Sequence, residues 1–198
     1  MTLAARFRFL GIRIAPLQVP SEIIPLLGLL ARDPPKTVLE IGTAKGGSLF
    51  LFSRVAAEDA TLISLDLPHG PFGGGYAAWR GRFYRSFARA RQQIESVRAD
   101  SHARTTRDRV RNLLRGAPID FLFIDGDHRY EGVRADFEDY SPLVRDGGWV
   151  GFHDIVPGPE RGVGGVPRFW AELKPTGRVE EFVADWGQQA AGIGVWRK

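Results

Sequence analysis

The chain has 198 residues, enough for one domain with a full core, and is 43% hydrophobic and 25% charged, an ordinary globular balance. It has no cysteine, which excludes disulfides, zinc–thiolate sites and thiol catalysis. The net charge of +4 is carried mostly by arginines gathered at Arg80–Arg91 and Arg98–Arg115, with acids scattered among them. That pattern reads as solvated helix faces, with a nucleic-acid surface as the alternative.

No stretch approaches the roughly 20 apolar residues of a membrane span. The short apolar run Phe9–Ile12 is cut by Arg13, so no signal peptide is expected and the expected location is cytoplasmic. Pro16 and Pro20 rule out a long helix at the start, leaving residues 1–20 as an arm that packs on the domain or on a second copy of the chain. Residues 21–198 are expected to form one domain.

Ser21 is placed to cap a helix through Leu30, with Pro25 in its first turn and Asp33-Pro34-Pro35 as its stop. Lys36–Ile41 is a nearly continuous apolar run, expected of a strand covered on both faces. A glycine-rich turn leads into a helix over 47–57, and Thr61–Asp66 is the second strand. The loop 68–76 is rich in glycine, proline and aromatics, and reads as a lid. A basic helix is expected over 78–93, a strand over Ile94–Ala99, and an arginine-rich helix over 102–115 closed by Gly116 and Pro118. Ile119–Asp125 is the clearest strand, followed by a helix on which Val133, Phe137 and Tyr140 recur at helical spacing.

Gly147-Gly148 turns the chain into the strand Trp149–Asp154. Then come a Gly/Pro loop over Pro157–Gly165, a short helix Val166–Leu173, and two strands, Val179–Val183 and Gly192–Trp196. No helix fits between the last two, so they form an antiparallel ending. Alternating strands and helices predict a mostly parallel seven-stranded sheet with helices on both faces. Such sheets bind ligands at the carboxyl ends of their strands. Glu40, Asp66, Asp100, Asp125 and His153-Asp154 all fall at predicted strand ends.

The turn reads Glu40-Ile41-Gly42-Thr43-Ala44-Lys45-Gly46-Gly47-Ser48, not the G-x-G-x-x-G of a dinucleotide fold, which argues against a nicotinamide oxidoreductase. It resembles motif I of the class I S-adenosylmethionine-dependent methyltransferases. With that resemblance, the N–H groups of Gly42, Thr43, Ala44, Gly46 and Gly47 and the Ser48 hydroxyl suit the amino-acid end of the cofactor. Asp66 suits the ribose, Asp100-Ser101 the adenine edge, and Glu40 the turn itself or the cofactor's ammonium. Asp125 completes the cofactor set.

A second constellation joins Asp125-Gly126-Asp127-His128 to His153-Asp154. Two strand ends, each carrying carboxylate and imidazole, could hold a divalent cation, or act without one, with Asp127, His128 or His153 as general base. The motifs Ile-Asp-Gly-Asp-His-x-Tyr-Glu-Gly-Val, His-Asp-Ile and Gly-Val-x-Arg-Phe-Trp-x-Glu-Leu resemble the methyltransferase 24, or cephalosporin hydroxylase-like, family, which is related to macrolide and sugar O-methyltransferases. The resemblance implies a Rossmann-like fold and transfer of a methyl group to the hydroxyl of a small molecule such as a sugar or natural product. It also implies Asp125, His153 and Asp154 as positions for magnesium or another divalent metal, and Asp127 as the base. His153 stands where the relatives carry an acid, a departure that bears on metal use. A nucleic-acid methyltransferase using the arginine-rich helices is the alternative. Phe72, Tyr76, Trp79 and Trp170 either line an apolar acceptor pocket or pack the lid and core.

Overall fold

The computed structural model describes residues 7–9, 12–14, 16–70 and 74–198. The arm contains a small antiparallel hairpin, β1 (Phe7–Phe9) with β2 (Ile12–Ile14). The domain then runs α1 (Pro20–Leu30), β3 (Thr37–Ile41), α2 (Gly47–Val55), β4 (Thr61–Asp66), α3 (Ala78–Arg85), β5 (Gln93–Arg98), α4 (Arg104–Leu114) and β6 (Ile119–Ile124). It closes with α5 (Tyr130–Tyr140), β7 (Val144–His153), α6 (Glu160–Val163), α7 (Val166–Leu173), β8 (Arg178–Phe182) and β9 (Ile193–Arg197).

The seven strands of the main sheet lie in the order β5-β4-β3-β6-β7-β9-β8. The five from β5 to β7 are parallel, and β9 and β8 are antiparallel. The expected mostly parallel sheet with an antiparallel ending is therefore the observed one. Period-two alternation divides the core between its faces. Val38, Phe121 and Phe123 pack with Ile23, Leu26, Leu49, Phe52 and Tyr84 on one side. Leu39, Ile41, Leu122 and Ile124 pack with Val110, Val133, Tyr140 and Phe169 on the other.

Several boundaries differ from expectation. Helix α1 is capped at Val19, whose carbonyl accepts from Glu22 and Ile23 N–H, so Pro20 is the first helical residue and Ser21 is not the cap. Proline's fixed φ suits that first position. Pro25 consequently lies in the second turn, on an exposed face. The basic helix stops at Arg85 because β5 must start at Gln93 to pair with Thr61 of β4. The connecting residues are tied to the end of α2: Gln92 Nε2 donates to the Ser53 and Ala57 carbonyls, and Arg89 Nε to that of Ser53. The Gly/Pro loop contains one helical turn, α6, in which the Gly162 and Val163 N–H groups donate to the Pro159 carbonyl.

Candidate active site

The turn after β3 brings main chain against main chain. Gly42 has φ +94, and a Cβ there would lie 1.9 Å from the Asp125 carbonyl oxygen, so only glycine fits. Gly46 caps α2 in the left-handed region and offers no side chain to the first-turn N–H groups, which stay available at the helix start. Thr43 Oγ1 and Ser64 Oγ, 2.7 Å apart, pin the turn to β4.

Glu40 is entirely buried beneath this turn, and burial pushes its carboxyl up to about 8. At neutral pH it is largely the uncharged acid. Asp66, at the end of β4, accepts from Ala44 N–H at 2.5 Å and from Gly75 N–H at 2.6 Å, so it fastens the turn to the loop between β4 and α3. Burial raises its pKa, and the backbone donors oppose that. Asp100 accepts the His102 N–H at 2.9 Å in a tight turn, three residues ahead of the Ala103 cap of α4, so it is not that helix's cap. The Ser101 carbonyl is held by the Tyr140 hydroxyl at 2.8 Å.

The ends of β6 and β7 supply the second cluster. His153 Nδ1 stands 3.2 Å from Asp125 Oδ1 and 3.3 Å from Asp154 Oδ2. His128 reaches the same carboxylates from the other side, at 3.6 Å to each. His128 Nδ1 lies 2.6 Å from the Gly162 carbonyl, which can only accept, so the ring proton is on Nδ1. Burial works against charging His153, but the two carboxylates outweigh it and hold its pKa well above the ordinary value. His128 is raised for the same reasons. Although burial alone would raise the Asp125 carboxyl, the two imidazoles hold it down to about 2.

Asp127 behaves differently. Arg129 grips both its oxygens and donates its backbone N–H to Oδ1 at 3.0 Å. Despite the burial penalty, these donors keep its pKa below the usual carboxylate value.

A cleft of about 230 Å³ lies over these strand ends, bounded by Gly42, Asp66, Asp100, Asp125, His128 and Asp154. The structure thus brings the two sequence-predicted constellations to one cavity. Asp125, His128 and Asp154 each present one donor atom within 4.8 Å of the others. Of the four aromatic candidates, Tyr76 and Trp170 are buried packing residues. Tyr76 packs edge-on against Tyr84, and Trp170 against Phe152. Trp79 is exposed, and Phe72 falls outside the described residues.

Sequence reasoning missed three participants. Gln18, from the arm, donates to Asp125 Oδ2 at 2.9 Å across 107 residues of chain, a contact no local pattern signals. His102 lines the cleft and stands 3.3 Å from the wholly buried Asp136. Their pairing, chiefly the hydrogen bond to Asp136, raises His102 to about 9. Here a signal existed: Asp136 is an acid beside Val133, Phe137 and Tyr140 on the apolar stripe of α5.

The order of the seven strands, with the cleft at their carboxyl ends, defines a Rossmann-like fold of the class I methyltransferases. Residues 39–155 match the family described as "Methyltransferase domain", Methyltransf_24, and the chain belongs to that family. A curated relative, the uncharacterized protein y4gI of Sinorhizobium fredii, is 32% identical over 142 residues, which are 70% of this chain. The match spans only 15% of that protein's length. Among solved structures, the fold is similar to an O-methyltransferase from Bacillus cereus in complex with SAH, with a TM-score of 0.65 and 20% identity over 92% of this chain and 84% of that one. It is also similar to the O-methyltransferase TomG from Streptomyces achromogenes, in complex with SAM, with a TM-score of 0.60 and 20% identity over 88% and 78%. Among the described residues, no helix is long and apolar enough to cross a membrane.

Proposed function

We propose that this domain transfers the methyl group of S-adenosylmethionine to a hydroxyl of a small molecule. The carrying observation is the shared cleft, with the glycine turn and Asp66 at one end and Asp125, His128 and Asp154 at the other. The turn's N–H groups suit the cofactor's carboxylate, Asp66 its ribose, and Asp100-Ser101 its adenine. Asp125 and Asp154 supply negative charge near the sulfonium.

In the reaction, the acceptor oxygen attacks the methyl carbon in line with sulfur. The carbon–sulfur bond breaks with its electron pair going to sulfur, and S-adenosylhomocysteine leaves. His128 takes the hydroxyl proton on Nε2, because Nδ1–H is fixed on the Gly162 carbonyl. Asp127 suits that role less, since its carboxylate is occupied by Arg129 and its pKa is depressed. Aligning oxygen, carbon and sulfur supplies much of the rate.

The donor set does not fit magnesium. That ion takes oxygen ligands in a near-octahedral shell. Here His153, with its raised pKa, offers an N–H and positive charge between the two carboxylates. No step is therefore routed through a metal. The small-molecule reading is also supported by α4, where Arg104 and Arg111 pair with Asp108, and Arg107 with Asp139, neutralising part of that face.

Calorimetry with S-adenosylhomocysteine tests the cofactor assignment: sub-millimolar binding is expected, and its absence overturns the reading. Turnover that survives chelation is expected, and turnover abolished by chelator and restored by magnesium overturns the metal-free step.

A further inference from the structure

Asp136 is wholly buried on α5, and the methyl transfer described above makes no use of it. A carboxylate taken out of water needs partners, and burial raises the pKa of this one. The groups that oppose the rise are the His102 imidazole and the Ser101 hydroxyl, both from the turn between β5 and α4.

The geometry of that turn follows from α5. His102 Nε2 stands 3.3 Å from Asp136 Oδ1 and 3.2 Å from the Gly132 carbonyl, one helical turn earlier. Both oxygens can only accept, so Nε2 carries a proton. His102 Nδ1 lies 3.8 Å from Asp100 Oδ1, the oxygen that also accepts the His102 backbone N–H. The ring is thus set between two carboxylates, which favour its charged form. Asp127, held by Arg129, acts on it from farther off, and Arg104 at the start of α4 pairs with Asp108 instead. A further link comes from Tyr140, whose hydroxyl donates to the Ser101 carbonyl at 2.8 Å. Gly132, Asp136 and Tyr140 are spaced four residues apart, so one stripe of α5 grips the whole turn. Asp100, Ser101 and His102 in turn border the cleft. A turn between a strand and a helix has no ladder to fix it, so these ties give it its shape.

We propose that Asp136 is a positioning residue for the nucleoside end of the cleft, acting from the interior of α5 through His102 and Ser101 to hold the Asp100–His102 turn in its ligand-binding shape. This rests on the cofactor assignment above. It adds that nucleoside binding depends on one buried ion pair. The hydrogen bond to Asp136 is the main cause that raises His102 to about 9, so the pair is complete at neutral pH and is lost as pH rises through that value.

The test uses 5′-methylthioadenosine, which keeps the nucleoside and lacks the titrating α-ammonium of S-adenosylhomocysteine. Binding is measured calorimetrically at neutral pH and at about pH 10 to the full chain, to Asp136→Asn and to His102→Gln, with circular dichroism and thermal unfolding as checks of folding. The full chain should lose about tenfold in affinity over that range, the worth of one hydrogen bond to a charged group. Asp136→Asn should be about tenfold weaker already at neutral pH and lose nothing further, and His102→Gln should also lack the alkaline loss. Proton NMR of the imidazoles should show His102 titrating lower in Asp136→Asn than in the parent. Unchanged affinity of the full chain at the higher pH overturns the proposal, as does parental affinity in Asp136→Asn or an alkaline loss that persists in either variant. If Asp136→Asn does not fold, the full chain and His102→Gln decide by the same criteria. S-adenosylhomocysteine, titrated in parallel at neutral pH, separates the two readings. A full chain that binds it and fails these criteria sinks the role of Asp136 alone, whereas one that binds neither ligand sinks the cofactor assignment and this proposal with it.

Discussion

At the scale of single residues, two groups carry proton chemistry for opposite reasons. Glu40 is wholly buried, and burial, only partly opposed by the hydroxyls of Ser48 and Thr43, raises its pKa to about 8. A raised carboxyl contributes stability that is complete below its unfolded value near 4.5 and is lost as pH rises through about 8. Glu40→Gln is nearly isosteric with the protonated acid and cannot ionise. It should fold normally at pH 5 and exceed the parent above pH 8, by roughly 5 kcal/mol from the shift alone. Denaturant melts at the two pH values check this; a variant equally destabilised at both would show that the side chain has a charged partner. His128 is raised by the carboxylates it faces. As a base it must be neutral, so turnover should be suppressed below pH 6.5 and climb as pH passes its higher folded value. His128→Gln should lower kcat by about 10²–10⁴ and flatten that limb. A pH–rate profile retaining the limb in the variant would move the base to another residue.

At the scale of elements, the helix α5 carries the most information per turn. Gly132 lies near its start, where replacement by alanine would ordinarily favour the helix by up to about 1 kcal/mol. Here an added Cβ would lie 2.2 Å from Asp127 Cγ and 2.4 Å from Asp127 Oδ2. Asp127 is also clamped by Arg129, so it cannot yield without breaking that pair. Gly132→Ala should therefore lose about 1–3 kcal/mol through overpacking and displace Asp127 in the cleft. Thermal unfolding with cofactor titration checks it, and a stabilised variant with unaltered binding would make Asp127 free to move. The strands were legible in the sequence because each is a short apolar run between turn residues, and the acids at their ends located the cleft. Helix ends were less legible. Pro20, read as part of the arm, is the first residue of α1, because the cap at Val19 is a backbone arrangement with no side-chain signature. The run from residue 78 has arginines at helical spacing all the way to Arg91, yet pairing of Gln93 with Thr61 ends the helix at Arg85. Tertiary pairing overrode local propensity there.

At the scale of the whole molecule, contacts between distant parts of the chain complete the site, and these were not legible at all. Glu22 of α1 is wholly buried. Its carboxylate accepts from Gln188 Nε2 at 2.7 Å, Gly192 N–H at 2.9 Å and Ala184 N–H at 3.2 Å. Those residues lie 162 to 170 positions away, so no spacing rule could connect them. The same segment reaches the site, since Ala191 N–H donates to Asp154 Oδ1 at 2.8 Å and the Ala191 and Gly192 carbonyls accept from Val156 and Ile155. A buried acid on α1 thus fixes the loop that orients Asp154, while Gln18 on the adjoining arm touches Asp125. Glu22→Ala leaves the buried Gly192 N–H, the Ala184 N–H and the Gln188 amide without their acceptor. It should cost about 3 kcal/mol or more in stability. Its effect should also appear in the site: hydrogen exchange should quicken over 184–192, and kcat should fall more than cofactor affinity, because Asp154 lies at the reacting end of the cleft. Glu22→Gln keeps one acceptor oxygen and should recover part of both losses. If stability falls while exchange over 184–192 and kcat stay at parental values, Glu22 is a packing residue only, and the orientation of Asp154 comes from β7 alone.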